Sequence, residues 1–241
     1  GIYKNTTNFS HIKGDGVAVA IRHNIELKDI SYIQIHPTTL YTKENKRKFL
    51  ISESVRGEGA ILLNQKLERF TDELKPRYKV TKAILEEMKK DKSEYEWLDF
   101  STIKLDVKER FPNIYRNLME NNIDPLKDKV PVVPAQHYTM GGIKVDMDSK
   151  TSMKNLYAIG EVACTGVHGK NRLASNSLLE SVVFGKRAAY SIIDENNISV
   201  YNEIKDDIFE NIADKIIVID EKENKNIIEK RIKEDEFEKN R

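Results

Sequence analysis

The sequence is poor in cysteine, lacks an excess of charge of either sign and has no long apolar run. Cys164 is the one cysteine among 241 residues, so no disulfide forms within the chain and a reducing, cytoplasmic location is expected. The 40 basic and 39 acidic side chains leave a net charge of +1, which argues against nucleic acid as a partner. No apolar stretch approaches the roughly 18 residues of a membrane-spanning helix. No basic-then-apolar leader opens the chain, and no membrane association is predicted.

What the sequence does contain is typical of a globular protein. Hydrophobic residues make up 39% and charged residues 33% of the chain, which allows a large core beneath a heavily solvated surface. The length suggests one or two domains, at roughly 100–200 residues each. The chain opens with Gly1 rather than methionine, directly in a turn-rich stretch. We therefore expect it to be a piece of a longer polypeptide.

Local patterns divide the chain into four regions. Residues 1–24 are turn-rich and end in a short apolar element. Residues 25–136 contain strand-like stretches at 32–35 and 49–51, and a helix is predicted over 80–89, where apolar residues recur on one face. Residues 137–190 hold a glycine-rich block, a predicted buried strand at 156–159 and a strong helix. Residues 191–241, rich in Lys, Glu, Asp and Asn, predict solvated helices or a frayed end.

Three clusters in the first half of the chain point to chemistry, and each has an ordinary structural alternative. The segment Arg56-Gly57-Glu58-Gly59-Ala60 follows a predicted strand that carries Ser52; its glycines suit either close approach to a ligand or a simple turn. Gln34 and His36 fall on one face of a strand, where a lone histidine is often structural. Arg77 follows Pro76 at the entry to a helix, and taken alone it is a surface charge.

The second half of the chain offers two further clusters. His137 precedes the pair Gly141-Gly142, which permits close backbone packing. Residues 168–177 lead into the predicted helix, where Ser177 and Glu180 have the spacing of a capping box. The free amides of such a helix N-terminus favour an anion. Cys164 and His168 are four residues apart, but no second pair with metal-ligand spacing accompanies them, so no metal site is predicted.

Taken together and in this order, the motifs resemble one family. They are His-Pro-Thr at residues 36–38, Arg-Gly-Glu-Gly-Ala at 56–60, His-Tyr-Thr-Met-Gly-Gly at 137–142, Gly-Glu at 160–161 and Asn-Arg-Leu-Ala-Ser-Asn-Ser-Leu-Leu-Glu at 171–180. Over about residues 1–193 the chain is similar to the succinate dehydrogenase/fumarate reductase flavoprotein superfamily, and within it to the aspartate oxidase branch. Ala174-Ser175 and Glu180 stand where the dehydrogenase form has Gly-Ala and Asp.

The resemblance implies a protein of the α+β and α/β classes that binds FAD. Residues 1–24 and 137–190 are then parts of an FAD-binding α/β domain, and residues 25–136 are an α+β capping domain inserted into it. Residues 191–241 begin a C-terminal helical domain. The family's N-terminal glycine-rich turn, which holds the FAD pyrophosphate, is missing from this chain.

The resemblance also implies roles for individual residues. The candidate substrate-binding residues, which hold the two carboxylates of a dicarboxylic acid, are Gln34, His36, Ser52, His137 and Arg172. Ser52 stands where threonine is usual. Arg77 matches the proton-transfer arginine of the family, although Tyr78 follows it where relatives carry Asp. Because a guanidinium is a poor base, Arg77 requires a neighbouring carboxylate or a water relay. The candidate FAD contacts are Asp15, Glu161, Ser177 and Leu178.

The implied activity is the oxidation of L-aspartate to iminoaspartate, with the electrons passing to oxygen or fumarate. In the family this is the first step of de novo NAD synthesis, and quinolinate synthase uses the product. Two other classes of function stay open. One is a fumarate reductase or succinate dehydrogenase flavoprotein acting on fumarate or succinate. The other is a flavin-free remnant that binds dicarboxylates or a partner protein.

Overall fold

The chain folds into two units of mixed helices and strands. A computed structural model describes residues 2–44, 47–195 and 220–240. The first unit comprises Tyr3–His11 and Gln34–His137, and the second comprises Ile12–Ile33 and the described part of Tyr138–Arg241. Residues 196–219, part of the expected helical domain, lie outside the described residues. The mixture of helices and sheets agrees with the predicted fold class.

A four-stranded sheet forms the centre of the first unit. Its strands are β2 (Ile33–Leu40), β3 (Ile61–Leu63), β4 (Glu96–Asp99) and β5 (Val130–Thr139), in the order β2-β5-β4-β3. β4 runs antiparallel to both neighbours, and its Leu98 lies opposite Leu62 on one side and Val130 on the other. These three side chains are fully buried and form a row of cross-strand contacts that stabilises the sheet.

Four helices accompany this sheet: α2 (Glu53–Gly57), α3 (Arg77–Asp91), α4 (Val107–Arg110) and α5 (Pro112–Glu120). The predicted helix over 80–89 is confirmed in α3, where Val80 and Ile84 are fully buried. The helix starts earlier than predicted, at Arg77, because Pro76 presets the backbone at the position that precedes the first turn. The local pattern therefore identified the helix, and proline chemistry sets its start.

The described part of the second unit combines a small sheet with one helix of 8 residues and two long helices of 20 and 19 residues. Its strands β1 (Leu27–Lys28), β6 (Gly142–Lys144) and β7 (Ala163–Cys164) lie in the order β1-β6-β7. The helices are α1 (Asp15–Arg22), α6 (Asn176–Glu195) and α7 (Glu221–Lys239). None of the helices within the described ranges has both the length and the apolar character that crossing a bilayer requires.

The predicted close packing at the glycine pair is confirmed. A Cβ atom on Gly141 would lie 1.7 Å from the carbonyl oxygen of Asp29, and one on Gly142 would lie 2.3 Å from that of Val162. Both distances are far below van der Waals contact, so any side chain at either position would force the backbone apart.

Three local predictions are wrong. Residues 49–51 make a single bridge from Leu50 to Thr39 rather than a strand, and residues 156–159 make a single bridge from Tyr157 to Lys150. Ser52 does not sit on a strand either, because it caps α2 and accepts a hydrogen bond from the Ser54 amide at 3.3 Å. Short apolar runs carry no periodicity that separates strand from coil, which explains the first two errors.

The charged C-terminal helix α7 is docked rather than frayed. Asp220 caps it by accepting a hydrogen bond from the Lys222 amide at 2.9 Å. Ile228 is buried in an apolar cluster with Val17, Ala18 and Ile30. The prediction of a largely solvated helix is therefore confirmed for α7, most of whose residues are exposed. The alternative of a frayed end is wrong for α7, because one isoleucine stripe within a charged sequence suffices to bury a face.

Candidate functional site

The first unit holds Arg77 between a carboxylate and an amide. Arg77 Nε donates a hydrogen bond to Glu53 Oε2 at 2.6 Å, and Arg77 Nη1 donates to Gln34 Oε1 at 3.0 Å. The side chain of Arg77 is 12% exposed, whereas that of Glu53 is 47% exposed. Arg77 is therefore an anchored and largely buried cation, and the alternative of an ordinary surface charge is wrong.

Glu53 supplies the carboxylate that the sequence left unidentified beside Arg77. A guanidinium stays protonated, so a carboxylate in contact with it provides the proton-accepting capacity that it lacks. Glu53 and Arg77 are 24 residues apart and belong to different helices. No local spacing connects them, and the one available signal was the position of Glu53 directly after Ser52.

Two histidine rings meet in the same unit. The rings of His36 and His137 lie 5.5 Å apart between centroids, edge to face. His36 is buried on β2, and its Nδ1 atom lies 3.1 Å from the Thr38 carbonyl oxygen. The Nδ1 atom of His137 lies 2.9 Å from Thr7 Oγ1. Each ring is thus held through Nδ1, which fixes its orientation. Gln34 and His36 share one face of β2, as predicted, and the structure shows that both are buried.

Burial, together with the charges nearby, keeps the imidazole of His36 neutral. Burial, followed by the positive charges of Arg77, His137 and Arg56, holds the pKa of His36 well below its ordinary value. A neutral imidazole has one donor and one acceptor nitrogen, so His36 can bind a ligand by a directed hydrogen bond without adding charge.

We expect the first unit to lose stability as the pH falls below about 6.5, the ordinary histidine pKa, because unfolding frees His36 to take up a proton. The pKa of His36 is lower in the folded protein than in the unfolded one. The stability that the neutral His36 contributes is therefore complete at a pH above the unfolded pKa, and it is lost as the pH falls toward the folded pKa. Urea unfolding followed by the fluorescence of Trp97, the single tryptophan and a residue of β4, reports on this unit. His36→Gln should flatten the pH dependence, and His23→Gln, at an exposed site in the second unit, should not. Equal slopes in all three proteins would contradict the assignment.

The Arg-Gly-Glu-Gly-Ala motif builds a buried cation as well as a turn. Arg56 is buried in α2, and its Nη1 donates to the carbonyl oxygen of Glu73. Its Nε and Nη2 atoms are buried with no hydrogen-bond partner among the residues the structure describes. Gly59 has a φ of +112°, which a side chain would disfavour, and Glu58 pairs with Arg110 at 2.9 Å. The unit therefore gathers positive charge around His36, which suits an anionic ligand.

The second unit holds the candidate clamp residue Arg172. Arg172 is buried, and its guanidinium carbon lies 4.5 Å from the centroid of the Tyr138 ring. The Tyr138 hydroxyl donates to Glu180 Oε2 at 3.3 Å, and the same carboxylate oxygen lies 2.8 Å from His168 Nε2. The other oxygen of Glu180 accepts a hydrogen bond from Thr165. Burial and the charge of Glu180 raise the pKa of Tyr138, so its hydroxyl remains a donor.

This network overturns the predicted capping box. Helix α6 begins at Asn176, which places Ser177 inside the first turn rather than before it. Glu180 turns away from the helix start and binds Thr165, His168 and Tyr138. Its role is to hold the tyrosine that supports the guanidinium of Arg172.

Three segments that carry the candidate FAD contacts come together in the second unit. The short turn Gly160–Val162, which contains Glu161, lies beside the start of α1, where a Cβ atom on Gly16 would lie 2.9 Å from Val162 Cγ2. The same turn approaches α6, where a Cβ atom on Gly160 would lie 3.5 Å from Ser181 Oγ. Asp15 begins α1, whereas Ser177 and Leu178 lie in the first turn of α6.

The chemistry of this group fits a flavin nucleotide. Asp15 is exposed at the start of α1, and carboxylates accept hydrogen bonds from the hydroxyls of such a molecule. Glu161 accepts a hydrogen bond from the Thr139 amide at 2.8 Å, and burial raises the pKa of Glu161. Leu178 is 74% exposed and offers apolar surface to a ring, while its amide bonds the Ser175 carbonyl at 3.3 Å. The contacts of Asp15, Glu161, Ser177 and Leu178 with FAD stay predictions.

Residues 1–178 match the FAD binding domain family, and the chain belongs to this family of flavoproteins, whose cofactor is FAD. Within it, the chain is 60% identical over 194 residues to the L-aspartate oxidase of Clostridium perfringens, covering 80% of this chain and 44% of that protein. It is 51% identical over 230 residues to the L-aspartate oxidase of Clostridium acetobutylicum, covering 95% of this chain and 52% of that protein. The chain thus spans about half the length of these curated relatives.

Solved structures agree with this assignment. A quinol fumarate reductase of E. coli superposes with a TM-score of 0.73 at 32% identity, over 89% of this chain and 40% of that one. Sdh1 of Mycobacterium smegmatis in complex with UQ1 gives a TM-score of 0.71 at 32% identity, over 90% and 38%. The resemblance stated from the motifs, the mixed α/β flavoprotein fold and the FAD cofactor are confirmed.

Proposed function

We propose that this chain carries the substrate-binding part of an FAD-dependent L-aspartate oxidase, which converts L-aspartate to iminoaspartate. The observation that supports this best is the anchoring of Arg77 by Glu53 and Gln34, in a unit where Arg56 adds a second buried cation. Because the chain spans about half the length of its relatives, the proposed activity is that of the whole polypeptide.

The substrate class follows from the charges. L-Aspartate presents two carboxylates, and Arg172 offers the planar fork that binds one of them through two parallel hydrogen bonds. His36, His137, Ser52 and Gln34 provide the directed donors for the rest of the substrate. A neutral His36 orients the substrate, while the arginines supply the charge.

In the reaction, the hydrogen on Cα leaves as a hydride with the electron pair of the Cα–H bond. The amino nitrogen loses one proton, and a carbon–nitrogen double bond forms. FAD, when bound, supplies the acceptor for the electron pair. In this proposal Arg77 contacts the substrate, and Glu53, which accepts a hydrogen bond from Arg77 Nε at 2.6 Å, takes the proton that passes through Arg77. Glu53 is half exposed, so its proton exchanges with water between turnovers. Glu53 is therefore the proton acceptor in this proposal, because the protonated guanidinium of Arg77 cannot accept a proton itself.

The same constellation serves fumarate reductases and succinate dehydrogenases, the second candidate function. The relatives named L-aspartate oxidase are 51% and 60% identical to this chain, whereas the fumarate reductase and Sdh1 structures are each 32% identical. This difference, with the sequence around Ala174-Ser175 and Glu180, favours the oxidase. Entry of the product into NAD synthesis through quinolinate synthase, and a cytoplasmic location, are further parts of the proposal and rest on the resemblance and on cysteine content.

The test is an anaerobic flavin spectrum before and after addition of L-aspartate or succinate. The protein is prepared as this chain and, in parallel, as this chain preceded by the part of the C. perfringens relative where the resemblance expects the glycine-rich turn. Bleaching by L-aspartate but not by succinate supports the oxidase, and the reverse supports the dehydrogenase. Failure of both forms to retain FAD contradicts the proposal and favours a flavin-free dicarboxylate-binding protein.

A further inference from the structure

Helix α7 places a buried polar side chain, that of Asn224, against the start of helix α1. Asn224 is 1% exposed, and its Nδ2 atom donates a hydrogen bond to Asp15 Oδ1 at 3.2 Å. Its Oδ1 atom is buried without a hydrogen-bond partner in the described part of the chain. A buried amide with an unused acceptor is costly, and an aliphatic residue would pack there without that cost. The hydrogen bond to the Asp15 carboxylate explains why a polar residue stands at this buried position.

Helix α7 makes docking contacts on both sides of Asn224. One turn beyond Asn224, Ile228 packs so close to α1 that a Cβ atom on Gly14 would lie 3.1 Å from Ile228 Cδ1. At the far end of the helix, Asp235 Oδ2 accepts a hydrogen bond from the Ser31 amide at 3.0 Å. Lys239 Nζ lies 2.9 Å from Asp29 Oδ1. With both ends fixed, α7 holds the Asn224 amide in one place against Asp15.

We propose that Asn224 is a positioning residue for FAD binding, which holds the exposed carboxylate of Asp15 in the orientation that meets the cofactor. The inference rests on the proposed function, because it takes Asp15 as an FAD contact. Asn224 donates to one oxygen of Asp15, so the carboxylate cannot rotate freely and its other oxygen keeps a defined direction. The C-terminal helix thereby becomes a supporting element of the cofactor site, although none of its residues was predicted to take part.

The test is the FAD dissociation constant, measured by flavin fluorescence in whichever prepared form retains FAD. Asn224→Ala should raise this constant about ten-fold, the scale of one hydrogen bond to a charged group. Asn226→Ala is the matched control, because it changes the same residue type at an exposed position on the same helix. It should leave the constant unchanged.

A double-mutant cycle separates positioning from general destabilisation. If Asn224 acts through Asp15, Asn224→Ala has no further effect on FAD affinity in a protein that already carries Asp15→Ala. A packing role alone predicts additive losses.

The outcomes distinguish the two proposals. If the unsubstituted protein binds FAD and Asn224→Ala binds it equally well, the positioning role is overturned while the proposed function stands. Additive losses in the double-mutant cycle also overturn it. If the unsubstituted protein binds no FAD in either form, both proposals are contradicted. Should Asn224→Ala fail to fold, Asn224→Leu, which fills the space and removes the donor, is compared with Asn226→Leu by the same measurement, and equal FAD affinities overturn the role.

Discussion

Replacing Arg77 with lysine should lower kcat for L-aspartate oxidation by about 10²–10⁴-fold, the usual contribution of a proton-transfer group. A lysine keeps the charge but presents one ammonium in place of the planar fork that contacts Glu53 and Gln34 together. FAD affinity should not change, because the contacts that Arg77 makes with other described residues, those to Glu53 and Gln34, involve no candidate FAD residue. Single-turnover kinetics, followed by flavin absorbance, measure the effect on the chemical step directly.

The first unit provides a matched control for this substitution. Arg110 also pairs with a glutamate, Glu58, at 2.9 Å, but its side chain is 50% exposed. Exposed ion pairs contribute little, so Arg110→Lys should leave kcat unchanged. Glu53→Gln keeps the shape of the carboxylate and removes its basicity, so it should lower kcat. Full activity in Arg77→Lys, or an equal loss in Arg110→Lys, would show that the Arg77–Glu53 pair has no special role.

The features that the sequence predicts well are local ones. Helix α3 was predictable because Val80 and Ile84 repeat at helical spacing, and such a pattern needs no knowledge of the partner surface. The buried face of β2 followed in the same way from the alternation of Gln34 and His36. The close packing at Gly141 and Gly142 was predictable because glycine is the one residue without a Cβ atom.

The features that the sequence does not predict depend on distant pairs. The hydrogen bond between Asn224 and Asp15 joins residues 209 positions apart, and that between Arg77 and Glu53 joins residues 24 apart. Local spacing also misassigned Glu180, whose carboxylate had better partners in Thr165 and His168 than in the helix start. A capping box is worth about 1 kcal/mol, so a buried network readily overrides it.

The second large effect is expected at Arg172. Arg172→Ala should lower kcat/KM for L-aspartate by about 10²–10³-fold, because removing one partner of a buried charge pair costs about 3–4 kcal/mol. The loss should fall mainly on KM, since the proposed partner of the Arg172 guanidinium is a carboxylate that does not change during the reaction. Steady-state kinetics with L-aspartate, together with the dissociation constant of a dicarboxylate inhibitor such as succinate, measure both parts.

A substitution at Tyr138 tests whether this loss comes from the carboxylate-binding role proposed for Arg172 or from the packing around Arg172. Tyr138→Phe keeps the ring face beneath the guanidinium, at 4.5 Å in the unsubstituted protein, and removes the hydroxyl bond to Glu180. It should therefore retain most of the substrate affinity that Arg172→Ala loses. Arg172→Ala with an unchanged KM would exclude Arg172 as the clamp. Because the proposed role of Arg172 is in substrate binding and that of Arg77 is in the chemical step, Arg172→Ala should mainly raise KM and Arg77→Lys should mainly lower kcat. A shared pattern would indicate that both arginines hold the substrate and that the proton moves through another group.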